Sequence, residues 1–475
     1  MKRFGFLLTL AVLLAAPAAL AGGFLIYEHG AIGTGMASAR TASADSVTSM
    51  YFNPAAITEL PGLQLAIGST GILPFAHYEP ATIAVPRTYT SRDSAGNIVQ
   101  LPVLEDGTHA VDAKVKGFTP IHLYATYRIG ESGITVGYGL NNPFGLGTFW
   151  PGDWDGRFIA TETELKTFFN QPTVAVDLAQ LLGFKDTVKL SVAAGYNFVY
   201  GQALLGQHID LRVAEGLYQD IKSPEGWMQM NGSAIGHGWN AALYAELPKL
   251  LSFGASFRGG FNGNGSLGLP YEGTAKFNFN AAGQLAKTRL GMVIPDETTG
   301  NVTINLPFAL NIGVAYLGVE RLKIAFDWYY ADFSSYDKLD VQFACAQGDD
   351  PECPILKQDP LVKNFHESMQ FSLGAEYWFT DAIAARLGYG LVTNPVPGET
   401  YGPELPDGRR DLICVGGSYK GGWFQVDLGY MLAMWEGTKD NDVGDSSATG
   451  NPNGKANGTY TTTTHLLAFT WAMNF

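Results

Sequence analysis

The sequence predicts an all-β protein: a transmembrane antiparallel β-barrel of about fourteen strands with a small N-terminal hatch inside its lumen. Three observations predict this fold. The chain begins with a secretion signal, its strands alternate between apolar and polar residues, and its connections alternate between short and long. The composition agrees, because 22 Tyr, 28 Phe and 58 Gly are spread along 475 residues rather than gathered in blocks.

The first 21 residues have the organisation of a cleavable signal peptide. Two basic residues precede an apolar run, and Ala19 to Ala21 provide a small-residue cleavage site. The alternative is an uncleaved membrane anchor, but the apolar run is short and Pro17 follows it. The mature chain is therefore expected to begin at Gly22, outside the cytoplasm.

Charge and cysteine content exclude several classes of function. The net charge of −14 at pH 7 leaves no basic footprint, so no nucleic-acid partner is expected. Cys345 and Cys353 share one polar segment and form either a loop disulfide or two free thiols, while Cys414 is expected on a strand without a partner. Because the cysteines and histidines lack metal-ligand spacing, neither a metal nor a cofactor is predicted.

Several segments show the period-two alternation of a strand with one apolar face. From residue 322 the even positions are apolar, whereas the odd positions include Lys323 and Asp327. The same pattern recurs in residues 371–379, 383–391 and 424–432. A soluble β-sandwich would show this alternation too, so the strands alone do not decide between the two classes.

The connections favour the barrel over the sandwich. Short ones fall near residues 130–133, 181–186, 248–250, 318–320, 380–382 and 420–422, and long polar ones near residues 79–110, 142–156, 202–225, 262–300, 336–363, 394–408 and 436–458. Short periplasmic turns and long external loops are the barrel pattern. From Leu63 to Phe475 there is room for about fourteen strands, an even number that leaves both barrel ends in the periplasm.

The polar face of these strands is expected to line a lumen. Its charged members are Arg128, Glu246, Lys323, Asp327, Glu376, Arg386 and Asp427. On a lipid-facing surface each charge near the bilayer midplane would cost about 2–4 kcal/mol, whereas inside a barrel it can be solvated or paired. The chain ends on the aromatic Phe475, like the C-terminal signal of outer-membrane barrels, so the barrel assembly machinery is an expected partner during biogenesis.

Residues 22–62 do not alternate and are expected to form a separate hatch, between the signal peptide (residues 1–21) and the barrel (residues 63–475). A segment tethered to the first strand can fold back inside the barrel, where interior charges would hold it. Pro54 fixes its own φ, Asn53 becomes extended and can close a turn with its side chain, and Ala55 begins a short helical turn. This turn suits a compact plug.

Several stretches across nearly the whole mature chain carry a family resemblance. They are Gly22-Gly23-Phe24, GAIGTGMASARTASADSVTSMYFNPAAIT with Asn53-Pro54-Ala55, YGLNNPFG from Tyr138, GHGWNAALYAEL from Gly236, INLP from Ile304 and NPVPGETYGPELPDGRRD from Asn394. Together they resemble the FadL long-chain fatty-acid transporters of the outer membrane, a family that includes TodX-like hydrocarbon channels. The resemblance implies a fourteen-stranded barrel in the outer membrane of a Gram-negative bacterium.

The resemblance also implies a path for the ligand. A hydrophobic groove would lie between the third and fourth external loops, here residues 202–225 and 262–300. Ligand would pass to a tighter pocket near the hatch N-terminus and leave sideways through a gap at a kinked third strand. That strand is residues 134–147 here, where Gly137, Gly139 and Pro143 suit a break in pairing. The alternative is that these three are ordinary turn and edge residues.

Five residues are the predicted ligand contacts. Phe24, Leu25 and Ile26 would form the pocket with lumen residues from strands five and ten. Fatty-acid members of the family place basic side chains near the ligand carboxylate, and Gln202 and His366 align with those positions. Because neither is a permanent cation, a plain structural role is the alternative for both, and uncharged hydrocarbons are the alternative ligands.

The expected function is passive uptake of hydrophobic compounds, above all long-chain fatty acids, by a monomeric channel in contact with outer-membrane lipid. The hatch would rearrange on ligand binding before lateral release. An enzyme is not expected, because there is no nucleophile elbow and no His-Ser or Asp-His grouping recurs at one rim. A water-filled porin would need an open lumen, which the hatch opposes, and a surface adhesin is the remaining alternative.

Overall fold

The computed structural model describes residues 22–81, 88–92, 98–102, 110–185, 187–212, 214, 217–218, 220–346, 360–441 and 456–475. The predicted signal peptide, residues 1–21, lies outside them. In these parts of the chain no helix has the length and apolar character needed to cross a membrane.

The strands form a closed antiparallel barrel of 14 strands, which confirms the predicted fold class. In chain order they are β1 (Leu63–Pro80), β2 (Ile121–Arg128), β3 (Ile134–Asn141 and Gly145–Phe149), β4 (Glu162–Asp177), β5 (Lys189–Asp210), β6 (Glu225–Leu247), β7 (Leu251–Gly260 and Leu267–Phe279), β8 (Glu297–Leu306 and Ala309–Val319), β9 (Leu322–Asp332), β10 (Glu367–Trp378), β11 (Ile383–Val392), β12 (Arg409–Lys420), β13 (Phe424–Lys439) and β14 (Gly458–Asn474). Three of them, β3, β7 and β8, are each interrupted once.

The barrel closes between its first and last strands. β1 pairs with β14 from Gln64 opposite Asn474 to Pro80 opposite Gly458, and its first part pairs with β2 on the other side. The C-terminal residue completes the junction, since Phe475 N donates to Leu63 O at 2.9 Å. Strand β1 is thus paired along both of its edges.

Alternation along the strands places apolar side chains outside and polar ones inside, as predicted. In β9, the side chains of Ile324 and Phe326 are 40% and 45% exposed, whereas the next residue, Asp327, is fully buried. In β14, Leu467 and Phe469 face outward in the same way. The outer surface is therefore the face that lipid covers.

Short helices and strands occupy the connections and the lumen. The α-helices are α1 (Ala31–Gly35), α2 (Ser49–Phe52), α3 (Leu178–Leu182) and α4 (Ala281–Arg289), and the 3₁₀ helices are Pro54–Glu59, Asp155–Phe158, Phe333–Ser335, Ala344–Ala346 and Gly398–Thr400. The short strands are Thr88–Arg92 with Ile98–Pro102, Lys338–Leu339 with Leu361–Val362, Val111–Asp112 beside β1, and Gln342–Phe343 beside β8.

The segment before β1 folds back into the lumen and is buried almost throughout. Its Asn-Pro-Ala-Ala turn forms as the sequence predicts: the Asn53 side chain accepts a hydrogen bond from Ala55 N at 3.1 Å, and Pro54 begins a 3₁₀ helix. The Asn53 amide nitrogen also donates to Thr41 O at 2.8 Å and to Leu243 O of β6 at 2.9 Å. One side chain therefore ties two parts of the hatch to the barrel wall.

Lumen charges on β9 also hold the hatch. The Asp327 carboxylate of β9 accepts hydrogen bonds from Arg40 N at 2.8 Å and Thr41 N at 2.6 Å. The buried Arg40 side chain pairs with Asp45, which also meets Lys323 of β9. The predicted interior charges thus lie where they can bind the hatch.

A second group of ion pairs lies in the wall beneath the hatch. The Glu376 carboxylate lies 3.2 Å from Lys323 Nζ and accepts a hydrogen bond from Arg386 Nε at 2.6 Å. Arg386 Nη1 lies 3.8 Å from Asp427 Oδ1. Because these four charges are nearly or fully buried, each depends on its partners.

The long connections pack against one another at their end of the barrel. Leu211, Ala214 and Ile221 of the β5–β6 connection form an apolar cluster with Ala286 of α4. Cys345 is disulfide-bonded and Cys414 is a free, buried thiol, whereas Cys353 lies outside the described residues.

Candidate ligand cavity

The third strand is broken into two parts, and the break changes how the barrel wall is paired. The first part of β3 pairs with both β2 and β4, whereas the second part pairs with β4. On the other side of the second part lies the irregular segment 113–120, joined to it by a hydrogen bond from Lys114 N to Phe149 O at 2.7 Å. The wall is therefore loosely closed between residues 113–120 and 142–148.

Side chains satisfy the polar groups that the break leaves unpaired. Asn142 Oδ1 accepts from Ile121 N at 3.0 Å, and its Nδ2 donates to Thr167 O of β4 at 2.6 Å. Thr167 Oγ1 in turn donates to Phe144 O at 2.7 Å. Because these backbone groups are paired, the interruption is a stable feature of the strand.

The start of the hatch forms backbone hydrogen bonds with the broken strand from inside the lumen. Ile26 N donates to Pro143 O at 2.8 Å, Gly145 N donates to Phe24 O at 2.9 Å, and Leu25 forms an antiparallel bridge with Phe144. The hatch N-terminus thus supplies pairing that a neighbouring barrel strand would otherwise provide.

The position of the break corrects one prediction. Gly137 and Gly139 lie in regular pairing opposite Thr126 and Tyr124, so they do not interrupt the strand. Gly137 instead makes room for the hatch, since a Cβ atom there would lie 3.0 Å from the Met50 sulfur. Of the predicted lateral-gate residues, only Pro143 lies within the break.

Two glycines that the sequence analysis missed receive apolar side chains on one face of β3. A Cβ atom on Gly145 would lie 2.8 Å from Ile26 Cδ1, and one on Gly147 would lie 2.0 Å from Phe118 Cζ. The Phe118 ring also stacks on Phe149, with 6.4 Å between centroids. The alternation Gly-Leu-Gly in residues 145–147 is the sequence signal for this close approach.

A cavity of about 570 Å³ runs along this break. At its inner end it meets the hatch and the lumen face of β11–β14, lined by Leu25, Ile26, Glu28, Val392, Arg410, Leu412 and Ala433. At its other end it reaches outward-facing residues of β2, β4 and β5, namely Ile121, Lys166, Phe168 and Gln202. The lining thus spans the wall from the hatch to the outer face.

The predicted ligand contacts are distributed unevenly around this cavity. Leu25 and Ile26 line it, and Phe24 is buried behind them with its ring 5.0 Å from Phe333. Gln202 lies on the outward face of β5 at the outer end, because it follows the buried Gly201 in the alternating strand. The His366 side chain is exposed before β10 and is not part of the lining.

The expected contribution from strands five and ten is almost absent from this cavity. Apart from Gln202, the lining takes its barrel residues from β1–β4 and β11–β14. The reason is geometric: the cavity follows the break in β3 and the hatch N-terminus, which lie on the side of the barrel that contains the β1–β14 junction.

Charged groups at the inner end clamp the start of the hatch. The Asp407 carboxylate accepts from Gly23 N at 2.6 Å and from Arg410 Nε at 3.0 Å, and Arg410 Nη2 donates to Gly23 O at 2.8 Å. Burial raises the pKa of the Asp407 carboxyl, and Arg410 only partly offsets this effect. Sequence analysis did not single out either residue, although both lie in the quoted stretch that ends in GRRD.

The Glu28 carboxyl faces the same end of the cavity. Burial raises its pKa, and the positive charge of Arg410 partly offsets that rise. Within the described parts of the chain, no group of three or more His, Cys, Asp or Glu side chains could hold a metal ion.

Comparison with known proteins agrees with this architecture. Residues 12–475 match the family model described as outer membrane protein transport protein (OMPP1/FadL/TodX). Outer membrane protein P1 of Haemophilus influenzae is 24% identical over 460 residues, 90% of each chain. The long-chain fatty acid transport protein of Salmonella typhi is 23% identical over 444 residues, 89% of this chain and 90% of that one.

Solved structures share the fold at low identity. A Pseudomonas aeruginosa FadL homologue superposes with a TM-score of 0.72 at 14% identity, covering 96% of this chain and 100% of that one. The Pseudomonas putida toluene transporter TodX gives 0.61 at 15% identity, covering 95% and 99%. The chain therefore belongs to the OMPP1/FadL/TodX family of outer membrane transport proteins, and is a Gram-negative outer-membrane channel for hydrophobic compounds rather than an enzyme.

Proposed function

We propose that this channel takes up long-chain fatty acids passively and releases them sideways into the outer membrane through the break in β3. The observation that carries the proposal is a cavity whose lining includes both the hatch N-terminus and outward-facing residues of the wall. Lateral release is favourable for such a ligand because its apolar chain enters lipid without crossing water.

The lining suits an apolar chain. Leu25, Ile26, Leu412 and Ala433 surround the inner end, and Phe118 and Phe149 lie beside the opening. A volume of about 570 Å³ falls within the range of about 300–1,000 Å³ usual for small-molecule pockets. The ligand would first meet the cluster formed by the third and fourth long connections, where the apolar groove is proposed.

Hatch rearrangement is the step that admits the ligand. The start of the hatch pairs with the break in β3 through Ile26 and Phe24, so movement of this segment changes both the pocket and the opening. In this proposal residues 1–21 are a signal peptide, residues 22–62 are the hatch and residues 63–475 are the barrel. The channel acts as a monomer, and the barrel assembly machinery inserts it.

Uncharged aromatic hydrocarbons are the second candidate ligands. Two observations favour them: the solved relative TodX is a toluene transporter, and the inner guanidinium of Arg410 is already paired with Asp407. By contrast, the Salmonella typhi relative is a long-chain fatty acid transport protein, which favours fatty acids over hydrocarbons as the ligands. The two ligand classes differ in charge, so a binding experiment separates them.

The test is competition on the purified mature protein. A bound fluorescent fatty acid is displaced with oleate and, separately, with an uncharged alkylbenzene at matched concentrations. Stronger displacement by oleate is the expected result. Stronger displacement by the alkylbenzene would assign the channel to hydrocarbons, and failure of the probe to bind would favour the porin and adhesin alternatives.

A further inference from the structure

A group of charged side chains surrounds the outer end of the cavity. Lys114 and Lys116 come from the irregular segment 113–120, Glu164 and Lys166 lie on β4, and all four line the cavity. Three lysines and one glutamate give this group a net charge of +2, whereas the whole chain carries −14. This part of the outer face is therefore a basic site on an acidic protein, and its excess charge favours an anionic partner.

The Glu164 carboxylate holds two of these ammonium groups close together. Lys116 Nζ lies 3.2 Å from Glu164 Oε1, and Lys166 Nζ lies 2.9 Å from Glu164 Oε2. The Lys116 ammonium also lies 4.0 Å from the centroid of the Phe149 ring, which restricts its position further. The Glu164 side chain is 11% exposed, whereas the two lysine side chains are 46% and 43% exposed. Because an ammonium group has three N–H donors, both lysines keep donors for a second partner.

The outward residues of β4 place this basic group at the border of the lipid-covered surface. Towards the periplasmic end of the strand the outward positions include the apolar Phe168 and Val174. Towards the external end they change to Lys166, Glu164 and Glu162. A change from apolar to charged outward positions marks the level at which lipid headgroups replace hydrocarbon. The basic group therefore lies among the headgroups of the outer leaflet.

A polar groove continues this site along the outer face of β4–β8. The groove has a volume of about 590 Å³ and shares Glu164, Lys166 and Gln202 with the outer end of the cavity. Its further polar lining residues are Asn231, Ser233, Glu272, Thr274, Lys276 and Glu297. Two of these charges offset each other, since Lys276 Nζ lies 3.9 Å from Glu297 Oε2. Amide, hydroxyl and carboxylate groups in one groove suit a saccharide, whose hydroxyl groups both donate and accept hydrogen bonds.

We propose that the basic group and the polar groove together bind the phosphorylated saccharide headgroup of an outer-leaflet lipid. The phosphate accepts hydrogen bonds from the ammonium groups of Lys116 and Lys166. The saccharide hydroxyl groups pair with the amide and hydroxyl side chains of the groove, and the acyl chains lie over apolar outward residues such as Phe168. The bound lipid lies beside the exit proposed above, but its binding does not depend on which ligand the channel carries.

The test measures binding of fluorescent lipid A, a phosphorylated disaccharide lipid, to the purified mature protein in a neutral detergent. The double variant Lys116→Gln/Lys166→Gln should bind it about twenty-five-fold more weakly, because each lysine near a lipid surface contributes about fivefold. The double variant Lys116→Arg/Lys166→Arg keeps both charges and should retain most of the affinity. Lys222→Gln, at an exposed lysine of the β5–β6 connection, is the control and should bind like the wild type. Far-UV circular dichroism confirms that each variant keeps the barrel.

Competition with other molecules separates the parts of the headgroup. Dephosphorylated lipid A should displace the probe more weakly than lipid A from the wild type, and equally well from the wild type and the glutamine variant. Equal affinity of those two proteins for lipid A would overturn the inference, as would a wild type that binds lipid A no better than its dephosphorylated form. Full displacement by inorganic phosphate at the concentration of the lipid would show a site for a free anion instead. Each of these results is independent of fatty-acid uptake.

Discussion

The phenyl ring of Phe118 occupies the space that a side chain on Gly147 would need, with Cζ 2.0 Å from the position of an added Cβ. Phe118 is held by a backbone bridge to Ile72 of β1, and Gly147 lies in the second part of β3. The Phe118 ring therefore packs directly on Gly147 and joins the segment 113–120 to the second part of β3.

Removing the Phe118 ring should speed ligand release, whereas adding a side chain to Gly147 should slow it. Phe118→Ala removes the ring and should speed exchange between the cavity and the bilayer by about tenfold, the effect of lowering a barrier by about 1.4 kcal/mol. Gly147→Leu adds bulk at the same place and should slow exchange. The measurement is transfer of a fluorescent fatty acid from reconstituted protein to liposomes.

The matched control for Gly147→Leu is Gly71→Leu. An added Cβ on Gly71 of β1 would meet only Leu467 O, at 3.7 Å, so the larger side chain fits on the lipid face. Exchange in this control should equal the wild-type rate. Wild-type exchange in both gate variants would show that the ligand leaves by another route.

Gly23→Ala should weaken ligand binding by about tenfold. Gly23 has φ +61°, and an added Cβ would lie 2.5 Å from Phe333 Cζ, so alanine adds a clash to a backbone cost of about 1–2 kcal/mol. The clamp by Asp407 and Arg410 would then be lost. Displacement of the fluorescent probe measures the effect, and mass spectrometry confirms the mature N-terminus.

The control at the neighbouring position is Gly22→Ala. A Cβ atom on Gly22 would lie 3.1 Å from Val392 Cγ1 and needs no left-handed backbone, so its effect should be smaller. Equal affinities for Gly22→Ala and Gly23→Ala would contradict a specific role for the clamp.

Asn53→Ala should loosen the hatch while leaving the barrel closed. The change removes three hydrogen bonds, to Ala55 N, Thr41 O and Leu243 O, and each buried group left unpaired costs about 1–3 kcal/mol. Faster hydrogen exchange in residues 54–60 and more frequent opening in single-channel recordings are expected. Asn262→Ala, in the exposed interruption of β7, is the control. If hydrogen exchange in the hatch of Asn53→Ala stays as slow as in the wild type, Asn53 does not anchor the hatch.

Deletion of residues 22–62 tests the plug itself. Without the hatch the lumen should conduct ions, because this segment lies inside it and is buried almost throughout. Selective uptake should be lost at the same time, since Leu25 and Ile26 form part of the pocket. Planar-bilayer conductance and fatty-acid uptake measure the two effects, and unchanged selectivity would contradict the plug.

The barrel could be predicted from sequence because its constraints are local. Most outward positions of a strand are apolar where lipid covers them, so period-two patterns such as residues 322–330 mark strands directly. Connection lengths then give their order, since sequential antiparallel strands pair with each other. The 14 strands observed follow from these two signals.

The ligand cavity could be predicted only in part, because it depends on contacts between distant residues. Leu25 and Ile26 were identifiable from their position at the start of the hatch. Gly137 was misassigned because a glycine that makes room for Met50 has the same sequence signature as a glycine that breaks a strand. Arg410 of β12 joins the site only once the hatch has folded back onto it through Gly23, and no local pattern encodes that contact.

The hydrogen bond between Gly23 and Asp407 joins groups 384 positions apart. The other hatch anchors, at Leu243 and Asp327, also belong to strands made long after the hatch. The segment that enters the periplasm first is therefore the last to reach its final place, because it has no complete binding surface until β12 is in the sheet. Until then its apolar residues have no complete wall of the barrel to pack against.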